Sequence, residues 1–268
     1  MMLMMSMTMA AASSLGGIIS SAASSSFSSS SRASIQCSME RQALFNRIAP
    51  VYDGLNDVLS LGQHRLWKRM SVTWSGAKKG DSVLDLCCGS GDLAFLLSHY
   101  VGLHGQVSAL DFSSDQLSIA SSRQELNWKA CYDNIKWIEG DALDLPFPSS
   151  SFDAITMGYG LRNLVDRKKA LQEIFRVLKP AGSRASILDF NKSTSAIAKM
   201  FRVWMMDNVV VPVASTYGLA DEYRYLRDSI NDFLTGKELE ELARGVGFNK
   251  AKHYELGGGL MGNLVVTK

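Results

Sequence analysis

No aspartate or glutamate precedes Glu40, and the only basic residue before it is Arg32. Serine, alanine and methionine fill this stretch instead, with runs such as Ser24–Ser26 and Ser28–Ser31. Such a segment cannot bury enough apolar surface to repay its ordering entropy. Residues 1–38 are therefore expected to be disordered and to lie outside the fold. They also lack the continuous apolar stretch of roughly 7–15 residues that a secretory signal needs. The short apolar pieces, Met1–Met5 and Leu15–Ile19, are separated by serines. No stretch approaches the roughly 20 apolar residues of a spanning helix. An acid-free, serine-rich start is the composition of an organelle transit peptide, and scarcity of arginine favours a plastid over a mitochondrion. Ile35-Gln36-Cys37 resembles a stromal processing site, so the mature chain is expected to start near Ser38.

Net charge is also scarce. Twenty-eight Lys and Arg against 26 Asp and Glu leave +2. Nucleic-acid binding through a basic face needs clustered cations to neutralise phosphates, so no nucleic-acid partner is expected. Only four cysteines occur, Cys37, Cys87, Cys88 and Cys131. Their spacing matches neither a disulfide framework nor a metal site, so no metal is expected. They read as small buried residues of a reducing compartment. What remains is 46% hydrophobic and 20% charged, the balance of a soluble globular protein. Residues 39–268 are the right length for one α/β domain.

Residues 40–72 carry Phe45, Ile48, Tyr52, Leu55, Leu59 and Leu66 at helical spacings, and are expected to form an N-terminal helical lid. Strands and helices then alternate. Strands are expected at Val83–Leu86, Gln106–Asp111, Ile135–Ile138, Phe152–Met157 and Ala185–Leu188. Helices are expected at Leu93–Tyr100, Asp115–Trp128 behind a Ser113 or Ser114 cap, and Arg167–Leu178. This rhythm implies a parallel sheet with helices on both faces. The end departs from it. A helix at Lys237–Val246, stopped by Gly247, precedes two strands, Lys250–Leu256 and Asn263–Thr267, which make an antiparallel hairpin.

Asp85-Leu86-Cys87-Cys88-Gly89-Ser90-Gly91-Asp92 ends the first strand and opens a helix. Gly89 and Gly91 allow a tight turn and close approach of a ligand to the backbone. The run Gly89–Ala94 formally matches G-x-G-x-x-A, the dinucleotide fingerprint. Charge separates the two readings. A pyrophosphate is an anion placed at a helix N-terminus, and carboxylates at Asp85 and Asp92 would repel it. S-adenosylmethionine has no phosphate and carries an ammonium and a sulfonium instead. Asp111, with Phe112 beside it, ends the second strand, where an acid accepts hydrogen bonds from both ribose hydroxyls. Asp141-Ala142 follows the third strand, where Asp141 can bind the adenine amino group. Each acid alone also reads as a solvated loop acid or helix cap. Three at successive strand ends favour a binding edge.

Tyr52–Ser60, followed by His64-Arg65-Leu66-Trp67, resembles the quinone-biosynthesis C-methyltransferase family, which methylates ubiquinone and menaquinone precursors. Gly160-Leu161-Arg162-Asn163 and Arg176-Val177-Leu178-Lys179-Pro180 are similar to further motifs of that family. The resemblance spans nearly all of residues 40–268. It implies a Rossmann-like class I S-adenosylmethionine-dependent methyltransferase with a mostly parallel seven-stranded sheet. It also implies cofactor contacts at Ser90, Asp111, Asp141 and Ala142, with Gly158 standing where some members have a cofactor-facing serine. With the plastid-type leader it implies the branch that methylates demethylphylloquinol, a prenylated naphthoquinol, on the way to vitamin K1. Other prenylated quinols, precursors of plastoquinol, tocopherol or ubiquinone, are the alternative acceptors. A nucleotide-dependent oxidoreductase and a non-catalytic assembly protein are the readings furthest from it.

Methyl transfer to a ring carbon needs an electron-rich acceptor held on the methyl axis in a dry pocket. The reduced ring is the better nucleophile, and loss of its phenolic proton needs assistance. Arg162 and Asn163, just past the fourth strand, are the candidates. Arg162 would stabilise a developing phenolate or orient a water, since it cannot itself readily serve as a base. The competing reading is a structural turn with Arg162 bonded to backbone carbonyls. Tyr159 and His64 are secondary candidates, His64 with a lid or capping role as its alternative. Residues 194–234 carry Met200, Phe201, Val203, Trp204, Met205, Met206 and Val209–Val211, and are expected to form a helical insertion for the isoprenoid tail. The competing reading is ordinary core packing; an exposed face there would rest on a membrane.

Overall fold

The computed structural model describes residues 62–126, 129–180, 182–193 and 220–268, together with Met200, Val203, Trp204, Asn208, Pro212 and Ser215. The leader, residues 40–61 and most of the stretch 194–219 lie outside the described residues.

Helix α1 (Gln63–Ser75) precedes β1 (Ser82–Leu86), α2 (Asp92–Val101), β2 (Gln106–Asp111), α3 (Ser114–Leu126), β3 (Ile135–Glu139) and β4 (Ala154–Gly158). Helix α4 (Arg167–Val177), β5 (Arg184–Phe190), α5 (Ala220–Asn231), α6 (Gly236–Val246), β6 (Lys250–Leu256) and β7 (Met261–Thr267) follow. The order across the sheet is β3-β2-β1-β4-β5-β7-β6. The pairs among β1 to β5 are parallel, and β7 runs antiparallel to both β5 and β6. This is the seven-stranded sheet with a C-terminal hairpin that the alternation implies. Strand ends differ from the expected ones by a few residues. At β4, for example, Phe152 makes only an isolated bridge to Leu178 and regular pairing starts at Ala154. Ser113, not Ser114, caps α3, its hydroxyl accepting from the Gln116 N–H at 3.2 Å.

Central strands bury both faces, so their residues read as continuous apolar runs and split between two cores by the two-residue period. Leu84, Leu86, Ile155 and Met157 pack with Leu171 and Ile174 of α4 and with Leu239 of α6. Val83, Val107 and Ala109 pack with Ala94, Leu97 and Val101 of α2. The order in which strands are added reverses between the parallel strands β1 and β4, whose neighbours lie on opposite sides, so the crevice for a ligand opens at their C-terminal ends.

Helix α1 is packed against β5 and α2. Its buried face is His64, Trp67, Lys68, Ser71, Val72 and Ser75, with Ser71 Oγ 3.0 Å from Ser186 Oγ of β5. The apolar spacing assigned to residues 40–72 puts Leu66 on the packed face, whereas it is 58% exposed. The face that packs carries more polar than apolar residues, which a purely apolar pattern cannot find. No helix among the described residues is long and apolar enough to cross a membrane.

The Arg176-Val177-Leu178-Lys179-Pro180 motif holds a loop. Arg176 donates to the Phe147 and Leu145 carbonyls at 2.6 and 3.0 Å and pairs with Glu173 at 2.6 Å. Glu173 in turn accepts the Leu145 N–H at 2.9 Å. Lys179 pairs with Asp153, which also accepts the Ser82 N–H at the start of β1. Arg176→Ala should therefore lower the stability of the fold by roughly 1–3 kcal/mol, the range for lost bonds to charged groups. Urea denaturation of the variant beside wild type checks this; an unchanged midpoint removes the loop-holding role.

Candidate active site

Strained backbone marks two turns at the crevice. Among the described residues, Cys87, Ser150 and Tyr159 are the non-glycine residues with positive φ. Cys87 (φ 54°) follows β1 and Tyr159 (φ 60°) follows β4, on adjacent strands. Each such conformation costs on the order of 1–3 kcal/mol and persists only where its surroundings impose it. The two turns interlock. A Cβ on Gly160 would meet Cys87 Cβ and Sγ at 2.7 Å, so only glycine fits beside the Cys87 turn.

The glycine turn after β1 is clamped from two helices. Asp92, the first residue of α2, pairs with Lys68 of α1 at 2.5 Å and Arg123 of α3 at 2.7 Å. Arg123 also donates to the carbonyl and hydroxyl oxygens of Ser90, both at 2.8 Å. Gly91 backs onto aromatic rings: a Cβ there would stand 2.6 Å from Trp137 and 3.1 Å from Phe95. Gly89 faces open space, with only Gln116 Oε1 at 3.8 Å from its Cβ position. The rings thus exclude a side chain at Gly91, while the Cβ position of Gly89 is open.

The two acids expected to repel a pyrophosphate do not stand bare at the turn. Burial raises the Asp92 carboxyl, but Lys68 and Arg123 outweigh it and bring its pKa down to about 2. Asp85 is fully buried beneath the turn, with the Thr156 hydroxyl donating to it at 2.7 Å. Burial pushes Asp85 up to about 7, against the Thr156 bond and with Asp111 adding to the rise. The charge contrast at Asp85 and Asp92 is corrected accordingly: one is neutralised by cations and the other is shielded.

Asp111 is buried at the end of β2. Its carboxylate accepts the Gly89 N–H at 2.8 Å and the Ser113 N–H at 2.9 Å, one on each oxygen. Burial raises its pKa against these backbone bonds. Phe112 beside it is half-buried. Gly140, after β3, donates to the Asp111 carbonyl at 3.0 Å, which brings the third strand end alongside the second. Asp141 is exposed, its side chain accepting the Leu143 N–H at 2.8 Å, and Ala142 is buried. Gly158 ends β4 with Leu93 in the space a side chain would need, 2.8 Å from its Cβ position.

Arg162 is buried behind the Tyr159 turn. Its guanidinium donates to the Tyr159 carbonyl at 2.6 Å and to Asp189 at 2.7 Å, and its backbone N–H donates to Asp189 at 3.0 Å. The guanidinium also lies over the Phe190 ring, 5.1 Å from its centroid. This is the turn-holding arrangement set out as the competing reading, and it replaces the picture of an arginine aimed at the substrate ring. Asn163 Nδ2 donates to the same Tyr159 carbonyl at 2.9 Å, and its Oδ1 accepts the Tyr225 hydroxyl of α5 at 3.2 Å. Tyr159 itself joins a buried cluster with Trp67, Leu188 and Met261, and the Lys68 ammonium lies 5.9 Å from its ring centroid. His64 is buried on the packed face of α1, one turn before Trp67 and Lys68, not on an open lid. Tyr159, Arg162 and Asn163 are therefore brought together, as are Gly89, Asp111 and Gly140-Asp141. Lys68, Arg123, Asp189 and Tyr225 join the site without any mark in the sequence except, for Asp189, its place at a strand end.

The ubiE/COQ5 methyltransferase family model matches residues 35–268. The chain belongs to the ubiE/COQ5 methyltransferase family. It is a S-adenosylmethionine-dependent methyltransferase. It is 65% identical to the chloroplastic 2-phytyl-1,4-beta-naphthoquinone methyltransferase of Arabidopsis thaliana, over 88% of this chain and 90% of that one. It is 51% identical to a 2-phytyl-1,4-naphtoquinone methyltransferase of Nostoc sp., over 85% and 98%. Among solved structures it is similar in fold to a methyltransferase of Aquifex aeolicus, with a TM-score of 0.57, 18% identity and 80% and 97% coverage. A methyltransferase of Thermotoga maritima gives 0.58, 19%, and 84% and 99%.

The residues present fit this family's cofactor. Asp111 is a buried acceptor at the end of β2, oriented by backbone N–H groups of Gly89, Ser113 and Phe112, the type of group that a ribose hydroxyl needs. Gly89 leaves the backbone open on the same side. Among the described residues no group of three His, Cys, Asp or Glu is placed to hold a metal ion.

The two shifted acids give opposite pH dependences. Asp85 has an ordinary value of 3.8 and a folded value of about 7. Between those values the native state keeps a proton that the unfolded chain has released, so stability falls as pH rises through the window. Asp92 is depressed to about 2, so its contribution is present above about 4 and is lost as pH falls toward 2. Asp85→Asn should gain on wild type between pH 4 and pH 7, while the deficit of Asp92→Asn should narrow from pH 7 to pH 3. Urea midpoints across that range check both, and parallel curves would contradict the assignment.

Proposed function

We propose that this chain transfers the methyl group of S-adenosylmethionine to a ring carbon of demethylphylloquinol, 2-phytyl-1,4-naphthoquinol, in the formation of vitamin K1. The observation that carries the reading is 65% identity, along nearly the whole of both chains, to a relative named for that acceptor. Cyanobacterial relatives at 49–53% identity carry the same acceptor in their names.

When bound, S-adenosylmethionine supplies an electrophilic methyl on a sulfonium. The chain's own residues hold and screen. Asp111 accepts the ribose hydroxyls while its backbone bonds keep it oriented. Asp141 takes the adenine amino group, with Phe112, Ala142 and Gly158 as walls. Ser90 contributes its backbone, because its hydroxyl is engaged by Arg123. Asp85 lies beneath Gly89 and supports the turn without touching the ligand. Tyr159 and Asn163 face the acceptor, and Arg162 is a positioning residue: Asp189 cancels its charge, so its contribution is the shape of the Tyr159 turn. His64 backs that turn from α1.

Met200, Val203 and Trp204 stand exposed, as a surface for a long apolar tail or a lipid interface requires. Phe201, Met205, Met206 and Val209–Val211 lie outside the described residues.

The acceptor carbon must be electron-rich, and the reduced ring is. The full chain, given labelled S-adenosylmethionine and a panel of prenylated quinones with and without reductant, should methylate the naphthoquinol fastest and slow sharply without reductant. Equal rates in both conditions would refute the quinol, and preference for a benzoquinol would refute the ring.

The serine-rich leader and the chloroplastic relative together support a plastid location. A fluorescent protein fused behind residues 1–38 should enter plastids; retention in the cytosol or entry into mitochondria alone overturns this.

A further inference from the structure

Tyr159 holds a left-handed backbone at the edge of β4, and its peptide groups show what keeps it there. Its N–H donates to the Leu188 carbonyl at 2.7 Å. Its carbonyl accepts twice, from Arg162 Nη1 at 2.6 Å and from Asn163 Nδ2 at 2.9 Å. The arginine arm is fixed by Asp189. The asparagine arm has no such charge. A primary amide turned by 180° about its last torsion exchanges oxygen for nitrogen in nearly the same volume. The turned amide would set its oxygen against the Tyr159 carbonyl, acceptor against acceptor. The Tyr159 carbonyl, which can only accept, selects the bonded orientation, and the group on the far side of the amide holds it in place. That group is the Tyr225 hydroxyl, which donates to Asn163 Oδ1 at 3.2 Å. Because the Tyr159 carbonyl can only accept, Asn163 must present its nitrogen there and its oxygen to α5.

We infer that Tyr225 is a positioning residue for methyl transfer, its phenol on α5 fixing the Asn163 amide that holds the strained Tyr159 turn. The chain runs Tyr225 hydroxyl, Asn163 amide, Tyr159 carbonyl, and each link is a hydrogen bond between side chain and neighbour. Helix α5 packs on the short helical turn Leu161–Asn163 that carries Asn163. It also belongs to the 194–234 stretch assigned to the acceptor's tail, and in that respect the inference rests on the proposed function. Seating of the tail-side helix and the set of the ring-side turn are then one event. Removing the hydroxyl should loosen the turn and leave the cofactor edge at β1 and β2 untouched.

The test uses the full chain with Tyr225→Phe, Asn163→Ala and the double variant. Tyr225→Phe deletes one oxygen and keeps the ring, so the helix should stay packed. Turnover of the naphthoquinol should fall about tenfold, the scale of one net hydrogen bond. The acceptor KM and the affinity for S-adenosylhomocysteine by calorimetry should change less than about twofold by the same argument. The double variant should be no slower than Asn163→Ala, because both changes break one chain. Unchanged turnover in Tyr225→Phe, or losses that multiply in the double variant, overturn the inference. A second readout needs no acceptor. Amide hydrogen exchange of the peptide spanning Tyr159 and Asn163 should quicken in Tyr225→Phe, with Gly89 and Asp111 unaffected. Unchanged exchange overturns the inference whichever quinol is used, whereas a wild-type chain that methylates no naphthoquinol overturns only the acceptor.

Discussion

The buried ion pair between Arg162 and Asp189 is the constraint on which the crevice depends. Both side chains are almost wholly out of solvent, 2% and 4% exposed. Asp189 receives Arg162 twice, through the guanidinium and through the backbone N–H, and also accepts the Phe190 N–H at 2.8 Å. Burying two charges in this way contributes little net stability, but stranding one of them costs roughly 3–5 kcal/mol. The pair is therefore hard to lose once present, and what it supplies is geometry. It ties β5 to the turn after β4 and sets the direction of the Tyr159 carbonyl. Through Nη1 this one guanidinium joins Asp189 to the Tyr159 carbonyl, so the pair acts on the shape of the turn.

The topology makes this turn a rigid lip. Where β1 and β4 lie side by side, the chain departs to opposite sides, and the two loops leave a gap above the strand ends. Both loops begin with a strained residue, Cys87 and Tyr159, and the absence of a side chain on Gly160 lets them pack together. Helix α1 then closes over one side through Trp67, which touches the Tyr159 cluster, and Lys68, which reaches Asp92. The turn after β1 and the turn after β4 are thus braced by the same helix, which resists relative movement between them.

Much of this was legible from spacing. The two-residue and helical periods give the strands and helices within a few residues, since burial on both sheet faces leaves continuous apolar runs. Acids at strand ends mark Asp111 because chain order alone puts it at the crevice. What periodicity cannot carry is the state of a charge. Lys68 lies 24 residues before Asp92 and Arg123 lies 31 after it, so the cations that neutralise this acid are invisible to local pattern. Tyr225 is 62 residues from the amide it orients. Leu66 misleads for a related reason: α1 packs through serines, a lysine and a histidine, with Ser71 bonded to the sheet and Lys68 to Asp92 of α2, and this polar face imitates a solvent face.

The same contacts show how a dinucleotide-like run of glycines is packed in this chain. In a dinucleotide site the first glycine makes the turn, the second lets the backbone approach the pyrophosphate, and the third position packs the helix on the strand. Gly89 makes the turn here, and Ala94, with no exposed surface, supplies the packing. Gly91 is required by packing. Trp137, on β3, occupies the space beside it, 2.6 Å from where a Cβ would sit. The Trp137 indole is itself held by Gln124 at 2.6 Å, so it cannot swing clear without losing that bond. Trp137 and Phe95 therefore fill the side of Gly91 that a side chain would occupy, so the rings and not a ligand demand glycine there, while the carboxylates of Asp85 and Asp92 are engaged by Thr156 and by Lys68 and Arg123.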